Sequence, residues 1–525
     1  MIKINLNKIP INYNEKTLLN EIKKILKIKK DKIKEIKIIK KSIDARKKPK
    51  IYYNLIVGIC FFDEKIENNY NFEKIKIDIS GLKYKKQTSN KKIYVVGFGP
   101  SGMFCSLALS KMGYCPTVIE QGSCVEERIN QVQQFWEKGI LNINSNVQFG
   151  EGGAGTFSDG KLTTNLNSQL CNKVINELYL HGAPKQILYE SKPHIGSDKL
   201  CDVVKNMRND VIKNGGKIFF DTKLTNIIIK NNSVKFIEIT NVKTKLKTIL
   251  ACDVLCLCLG HSARDTFKLL KKLNLSIKQK PFAMGVRIEH KAININNMQY
   301  GENHSRLLPN ADYKLVAHLK NQRSVFTFCM CPGGRVVASS SNQGEIVTNG
   351  MSNFKRDEKY SNSALLVNVM PSDFNSDDVL AGVAFQEKYE RLAYELGGEN
   401  FFAPAETVSS FLYNKSNLGE CSYKPGYKFT KLKNCLPKFV YESLKEGLEI
   451  FRKKYKYFAL NTDVLIGVET RTSSPITILR NDKLVSNIDG IYPCGEGAGY
   501  AGGIVSSAQD GIKVAEAIYN NDNNI

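Results

Sequence analysis

No C-x-x-C pair occurs among the 14 cysteines, which argues against a zinc ribbon or a thioredoxin-type dithiol. Most of the cysteines sit in apolar, strand-like runs such as CDVLCLCLG at 252–260, so reduced, buried thiols are the expectation. No apolar run reaches the roughly 18 residues of a membrane-crossing helix. The opening MIKINLNKIP has neither a signal-peptide core nor the Arg- and Ser-rich character of a transit peptide, and the expected location is cytoplasmic. Positive charge is plentiful: the net charge is +25, and residues 1–90 hold 23 Lys and Arg against 10 Asp and Glu. A basic groove for nucleic acid would also carry interleaved aromatics or Arg clusters, which are sparse there. Much of the lysine therefore reads as composition, with nucleic acid an unlikely partner of the N-terminal region.

The chain is organised around residues 93–120, IYVVGFGPSGMFCSLALSKMGYCPTVIE. An apolar strand runs into Gly97, Gly99 and Gly102 in G-x-G-x-x-G spacing, then a helix from about Ser101 to Met112, a second strand and Glu120. Gly97 permits the tight turn, Gly99 with Pro100 and Ser101 lets a pyrophosphate approach bare backbone, and Gly102 lets the helix pack on the strand. The helix start points N–H groups at the phosphates, and Glu120 suits a ribose 2′-hydroxyl. This is a dinucleotide site.

Around it the chain divides by composition. Residues 1–88 read as a small α+β domain, with strands at 2–6, 33–40 and 51–61 and a helix at 17–28 that sets Leu18, Ile22, Ile25 and Leu26 on one face. Within it KKSIDARKKPK (40–50) reads as an exposed basic loop, 66–77 as a further helix or strand, and 80–92 as a linker. Residues 89–280 form the first part of the dinucleotide domain. Arg128, on a helix after Glu120, either reaches a cofactor phosphate or pairs with neighbouring acids. The glycine-rich FGEGGAGTFSDGKL (149–162) can lay backbone amides against a ligand through Gly153, Gly155, Ser158 and Gly160. A meander across 217–251 leads to a strand ending at Gly260, where backbone again approaches the cofactor.

Residues 281–460 are read as an inserted, substrate-facing domain. In SVFTFCMCPGG (324–334), strand alternation puts Cys329 and Cys331 on one face, as core neighbours or as redox or substrate contacts. Arg287 and His290 can hold an anionic substrate or supply a proton. The stretch 401–457 reads as mainly helical. Residues 461–525 return to the cofactor: a strand ends at Gly495, Glu496 suits a ribityl or phosphate-side hydroxyl, and Gly499, Gly502, Gly503 and Ile504 open a helix whose N-terminus stabilises a reduced isoalloxazine. Two glycine-rich helix starts suit a long ligand such as FAD.

Nine segments carry a resemblance: KKSIDARKK, VVGFGPSGMF, FGEGGAGTFSDGKL, LGHSARDTF, GVRIEH, FTFCMCPGG, VTNGMS, ETRTSSP and GEGAGYAGGIVSSAQDG. In these the chain resembles the uncharacterised FAD-dependent dehydrogenases of bacteria and plastids, related in fold to glutathione-reductase-like flavoproteins. The resemblance implies an α/β, two-dinucleotide-binding-type FAD domain split in sequence, an inserted α+β domain and a small N-terminal domain. GGAGTFSDG lacks the cysteine pair that glutathione reductases carry in the comparable region. The expected activity is hydride transfer between non-covalent FAD and a small organic substrate, with Cys329, Cys331, Arg287, His290 and Arg471 as candidates for the chemistry. No dedicated NADPH domain is visible in the sequence, so NAD(P)H binding transiently over the flavin and a protein donor both stay open. An RNA-modifying flavoprotein and a structural or redox-sensing FAD are the competing readings.

Overall fold

The computed structural model describes residues 1–63, 65–66, 70–164 and 168–523. Its centre is a five-stranded, all-parallel sheet in the order Ile491–Pro493, Val254–Leu257, Ile93–Val96, Thr117–Ile119 and Lys217–Phe219. Parallel strands are covered on both faces, so they read as continuous apolar runs. Ile93 and Val95 pack with helices Pro100–Lys111, Gln169–Leu180, Ser197–Lys213 and Ile504–Asn523. Tyr94 and Val96 face the other way, onto helix Arg264–Lys272 and an antiparallel meander of Thr222–Lys230, Ser233–Asn241 and Lys247–Ala251. Helices Pro100–Lys111 and Ile504–Asn523 touch backbone to backbone, for a Cβ on Gly511 would lie 2.2 Å from the Ser101 carbonyl oxygen.

A second sheet of seven strands stands beside the first. Its order is Val316–His318, Ser324–Cys331, Tyr360–Val369, Phe282–Lys291, Val464–Glu469, Ala403–Thr407 and Tyr427–Phe429. Helix Lys438–Lys454 covers one face through Val440, Leu444, Leu448 and Phe451. The strand Val464–Glu469 lies between Phe282–Lys291 and Ala403–Thr407, so this sheet reaches past residue 460. Two of its strands also fall within the stretch read as mainly helical. The chain passes between the two sheets through the antiparallel pair Ile277–Gln279 and Ile476–Ile478.

The N-terminal unit is a three-stranded antiparallel sheet, Ile2–Pro10, Tyr52–Phe61 and Ile33–Asp44, under helix Glu15–Leu26. That helix buries Leu18, Leu19, Ile22 and Leu26, while Ile25, expected on the same face, is exposed. Its start is fixed by Asn14, whose side chain accepts from Thr17 N. The basic stretch 40–50 is not a free loop. Lys41 N donates to Tyr189 O at 2.7 Å, Ser191 N donates to Lys41 O at 2.9 Å, and Lys48 Nζ donates to Met298 O. Residues 80–92 have no regular structure but are strapped down: Asn176 Nδ2 donates to Asp78 O and Ser80 O, and Gln87 N donates to Met112 O. Part of the 66–77 reading, residues 67–69, lies outside the described residues. Among the described residues no helix is long and apolar enough to cross a membrane, and no group of three or more His, Cys, Asp or Glu could hold a metal.

Candidate functional site

A cavity of about 480 Å³ opens at the carboxyl ends of the parallel strands, the place where open α/β sheets bind ligands. The first glycine turn forms its floor. Gly97 has φ +94°, and a Cβ there would lie 2.5 Å from Cys258 O. Gly99 is the N-cap of helix Pro100–Lys111 and is extended at φ −76°. Its own Cβ would meet only Gly153 Cα at 3.7 Å. No side chain caps this helix, so its first amides open on the cavity. Gly102 serves packing alone: its Cβ would be 1.9 Å from Gly97 O.

Glu120 is buried and lines the cavity. Its Oε2 accepts from Phe98 N at 2.7 Å, and Oε1 accepts from Gly122 N and Gly150 N at 2.9 Å. One carboxylate therefore ties the first turn to the second strand and to the glycine-rich loop, with acceptor capacity left on Oε2.

The glycine-rich loop lies flat on this turn. Gly152 N donates to Phe98 O at 2.8 Å, and a Cβ on Gly122 would lie 2.5 Å from Gly150 Cα. Gly153, Gly155, Ser158 and Gly160 line the cavity. Arg128 does not. Fully buried behind the loop, its guanidinium donates to the carbonyls of Asn146, Glu151, Val147 and Gly153 at 2.6–2.9 Å. Four of its five N–H groups go to loop carbonyls and it does not line the cavity, so both sequence readings of Arg128 give way to a positioning role. At its far end the loop is anchored by Asp159, 1% exposed. Asp159 accepts from Arg356 Nε and Nη2 at 2.9 and 2.6 Å and from the Ser352 hydroxyl, and pairs with Lys161 Nζ at 2.9 Å. Although burial works against the charge, these cations hold its carboxyl well below the usual range.

The C-terminal return closes the wall. Gly260, Glu496, Gly502, Gly503 and Ile504 line the cavity, and a Cβ on Gly260 or Gly502 would meet nothing within 4 Å. Burial raises the Glu496 carboxyl to about 7 against the pull of Lys280. The amides of Gly502 and Gly503 are not bare: Ser506 Oγ accepts from both, at 3.3 and 3.1 Å. Gly495 and Gly499 stand behind the wall, where positive φ and close backbone exclude a side chain. A Cβ would lie 2.6 Å from Ser101 Oγ at Gly495 and 2.7 Å from Ile476 O at Gly499.

The second sheet supplies the roof: Tyr313, Phe328, Cys329, Met330, Glu469 and Arg471. Arg471 is fully engaged with Glu390 and Glu345 and with the hydroxyls of Ser262 and Ser341, at 2.6–3.0 Å. Arg287 and His290 do not reach the cavity, because strand Phe282–Lys291 is central and covered on both faces. Arg287 Nε pairs with Glu469 Oε2 at 2.6 Å, and its Nη atoms donate to Asn362, Asn349 and Glu469 side chains at 2.8–3.0 Å and to Cys329 O at 3.3 Å. Burial raises Glu469 to about 7 even so. His290 Nε2 bonds Tyr313 Oη at 2.8 Å, so it touches the cavity only through that tyrosine. Cys331 is buried behind Cys329. Sequence reasoning marked Asp159 within the glycine-rich loop but missed Lys161 and Glu469 as members of this site; Lys161 sits in the same motif, where D-G-K was the available signal.

A parallel sheet with a glycine turn, a second glycine-rich helix start and a cavity between them defines a flavoprotein-like fold of the kind FAD-dependent oxidoreductases use. Residues 281–472 match the family described as "FAD-dependent protein, C-terminal domain-like", and residues 1–60 match a domain of unknown function, DUF8436. An uncharacterized protein of Clostridium beijerinckii is 46% identical over 530 residues, covering 98% of each chain. The chain belongs to the same family as this clostridial protein. Among solved structures, the glycerol-3-phosphate dehydrogenase of Bacillus halodurans complexed with FAD matches at 9% identity and a TM-score of 0.40. That match covers 82% of this chain and 65% of the other, so the chain spans just under two thirds of that protein's length. The L-proline dehydrogenase of P. horikoshii matches at 11% identity and a TM-score of 0.35, over 82% of this chain and 94% of the other.

Proposed function

We propose that the cavity holds FAD and that the chain is an FAD-dependent oxidoreductase acting on a small organic substrate, with NAD(P)H as a transient donor. The observation that supports this reading is a single cavity bounded by two glycine-rich helix starts, with open space where side chains at 99, 260 and 502 would stand. Such a cradle fits an extended diphosphate ligand whose two ends need backbone contact. Bound there, the flavin supplies transfer of a hydride or electron pair.

The protein's part is to bind, orient and exclude water. The uncapped amides after Gly99 hold the diphosphate, helped by the helix dipole. Glu120 offers the remaining acceptor capacity of Oε2 to a ribose hydroxyl while it fixes the loop. Gly153, Gly155, Ser158 and Gly160 lie along the ligand's length. Glu496, protonated up to about pH 7, can donate or accept at a ribityl hydroxyl. Phe328 and Met330 close the roof against solvent, and the buried Arg471 cluster sets the roof's position.

The test is an anaerobic absorbance spectrum of the purified protein before and after addition of NADH or NADPH. An oxidised-flavin band that bleaches promptly is the expected result. A band that stays unbleached removes the nicotinamide donor and leaves the cofactor in place. No band after reconstitution with FAD overturns the reading.

A further inference from the structure

Strand Ser324–Cys331 breaks its ladder with Tyr360–Val369 between Phe328 and Cys331. The break centres on Cys329, which takes φ +43°, a left-handed value uncommon outside glycine. Strained backbone of this kind persists where the surroundings hold it, often at functional sites. Here Arg287 Nη1 donates to Cys329 O at 3.3 Å, and Cys331 Sγ turns back to the same carbonyl at 3.4 Å. The kink thus brings the Cys331 thiol back onto the residue that carries the other one. Two thiols carried two residues apart on one kink are one two-electron oxidation from a covalent bond.

The two are not equivalent. Cys329 lines the cavity and is partly exposed to it; Cys331 is buried behind. The neighbouring Cys331 thiol, with Lys161 and Arg287 nearby, holds the Cys329 thiol well below the ordinary thiol range, while the same pairing and burial push Cys331 up. A second group of cysteines shows the contrast. Cys105, Cys258 and Cys494 touch one another in the core beside the parallel sheet, where burial and mutual contact raise all three. Close packing of thiols alone thus raises them in this fold, and Cys329 differs in having both Lys161 and Arg287 beside it.

We propose that Cys329 and Cys331 are a redox-active dithiol that exchanges an electron pair with the flavin in this cavity. The proposal rests on the flavin reading above. In the oxidising direction the Cys329 thiolate sulfur bonds to the Cys331 sulfur and the Cys331 S–H bond breaks. Its proton leaves to solvent, and the electron pair goes to oxidised flavin, the oxidant. The reverse reaction spends reduced flavin on the disulfide and returns the proton to Cys331. Arg287 is the positioning residue, holding the Cys329 carbonyl and hence the kink.

The test combines two readouts. Cleavage after Arg323 and Arg335 isolates both cysteines, and no others, in one peptide. In reduced protein, with or without flavin, iodoacetamide should label Cys329 in mildly acidic buffer while Cys331 stays unlabelled. After exposure to oxidised glutathione the folded protein should yield a peptide two hydrogen atoms lighter that resists alkylation until reduced. Flavin-loaded, oxidised protein should then take up two electron pairs on anaerobic titration with dithionite, and Cys331→Ser only one. If Cys331→Ser does not fold, Cys329→Ser serves the same comparison. A peptide that takes two alkyl groups after the oxidant, or equal electron uptake by parent and variant, overturns the dithiol. Failure to bind flavin overturns the cofactor reading instead, and the peptide masses distinguish the two failures.

Discussion

Gly99 and Gly102 stand three residues apart in one motif, yet the structure separates what each is for. A methyl group on Gly99 would enter the cavity and meet only Gly153 Cα at 3.7 Å, an ordinary contact. Its φ of −76° suits any residue. For Gly99→Ala, the loss of unfolded-chain freedom stabilises by about 0.4–1 kcal/mol, and a poorer N-cap offsets roughly that amount. The fold should therefore change by less than about 1 kcal/mol. The ligand should notice far more, because the methyl group occupies the space through which a diphosphate reaches the amides; a loss of about 1.4–2.7 kcal/mol is roughly ten- to a hundredfold in affinity. Gly102→Ala is the opposite case. Its Cβ would lie 1.9 Å from Gly97 O and 2.9 Å from Gly97 C, both backbone, so the helix must move off its strand. That overpacking should cost about 3 kcal/mol or more.

The assay is urea unfolding of the flavin-free proteins beside fluorescence titration with FAD. Gly99→Ala should keep its unfolding midpoint and bind weakly, and Gly99→Glu should be folded and colourless. Parent-like affinity in a folded Gly99→Ala would show that no diphosphate crosses this residue, and the placement of the cofactor would be wrong. Loss of the fold in Gly99→Ala would show that the open space at its Cβ is not there.

Two further outcomes follow from buried charge. Asp159→Asn leaves Arg356 and Lys161 without their buried counter-charge; it should destabilise by about 3–5 kcal/mol in urea and release flavin, since the glycine-rich loop loses its outer anchor. The pH profile carries the opposite sign. Glu496 is raised in the folded chain from 4.5 to about 7, so the folded state binds more protons across that window and stability falls as pH rises through it. Its share is on the order of 3 kcal/mol, and flavin-free Glu496→Gln should show a correspondingly flatter decline in unfolding midpoint from about pH 4.5 to about pH 7. A slope equal to the parent's would mean that the carboxyl is solvated rather than held in the wall.

The dinucleotide unit was legible because it is local. Strand, turn, helix and acid follow one another within 28 residues, each with its own signal, and the helix lies one residue from the expected span, at Pro100–Lys111. The second sheet was not, because its order is set by contacts far apart in sequence. Val464–Glu469 pairs with Phe282–Lys291, and the three-residue Tyr427–Phe429 pairs with Ala403–Thr407; short edge strands among loops carry little periodicity. Arg287 and His290, expected at the substrate, lie away from the cavity for a related reason. Where both faces of a strand are buried, a polar side chain points into a core network whichever way it turns, and nothing in GVRIEH says which network that is. Arg128 shows a different limit: an arginine beside acids in sequence reads as an ion pair, but here four loop carbonyls are its partners.

These partners explain how one loop makes a site from two sheets. The cavity's floor belongs to the parallel sheet and its roof to the seven-stranded one, so its shape depends on whatever fixes their separation. Residues 149–162 run between them. On the floor side Arg128 and Glu120 hold the loop by backbone atoms alone, so its glycines can lie within 3 Å of neighbouring backbone. On the roof side Asp159 grips Arg356 and Ser352 with full charge. Backbone anchoring at one end and buried charge at the other make the loop a strut rather than a lid. A residue such as Arg128 therefore governs the cavity without touching it, and the loop it holds braces the roof that carries Cys329. A braced separation is what the proposed electron-pair exchange between the roof and a flavin on the floor requires.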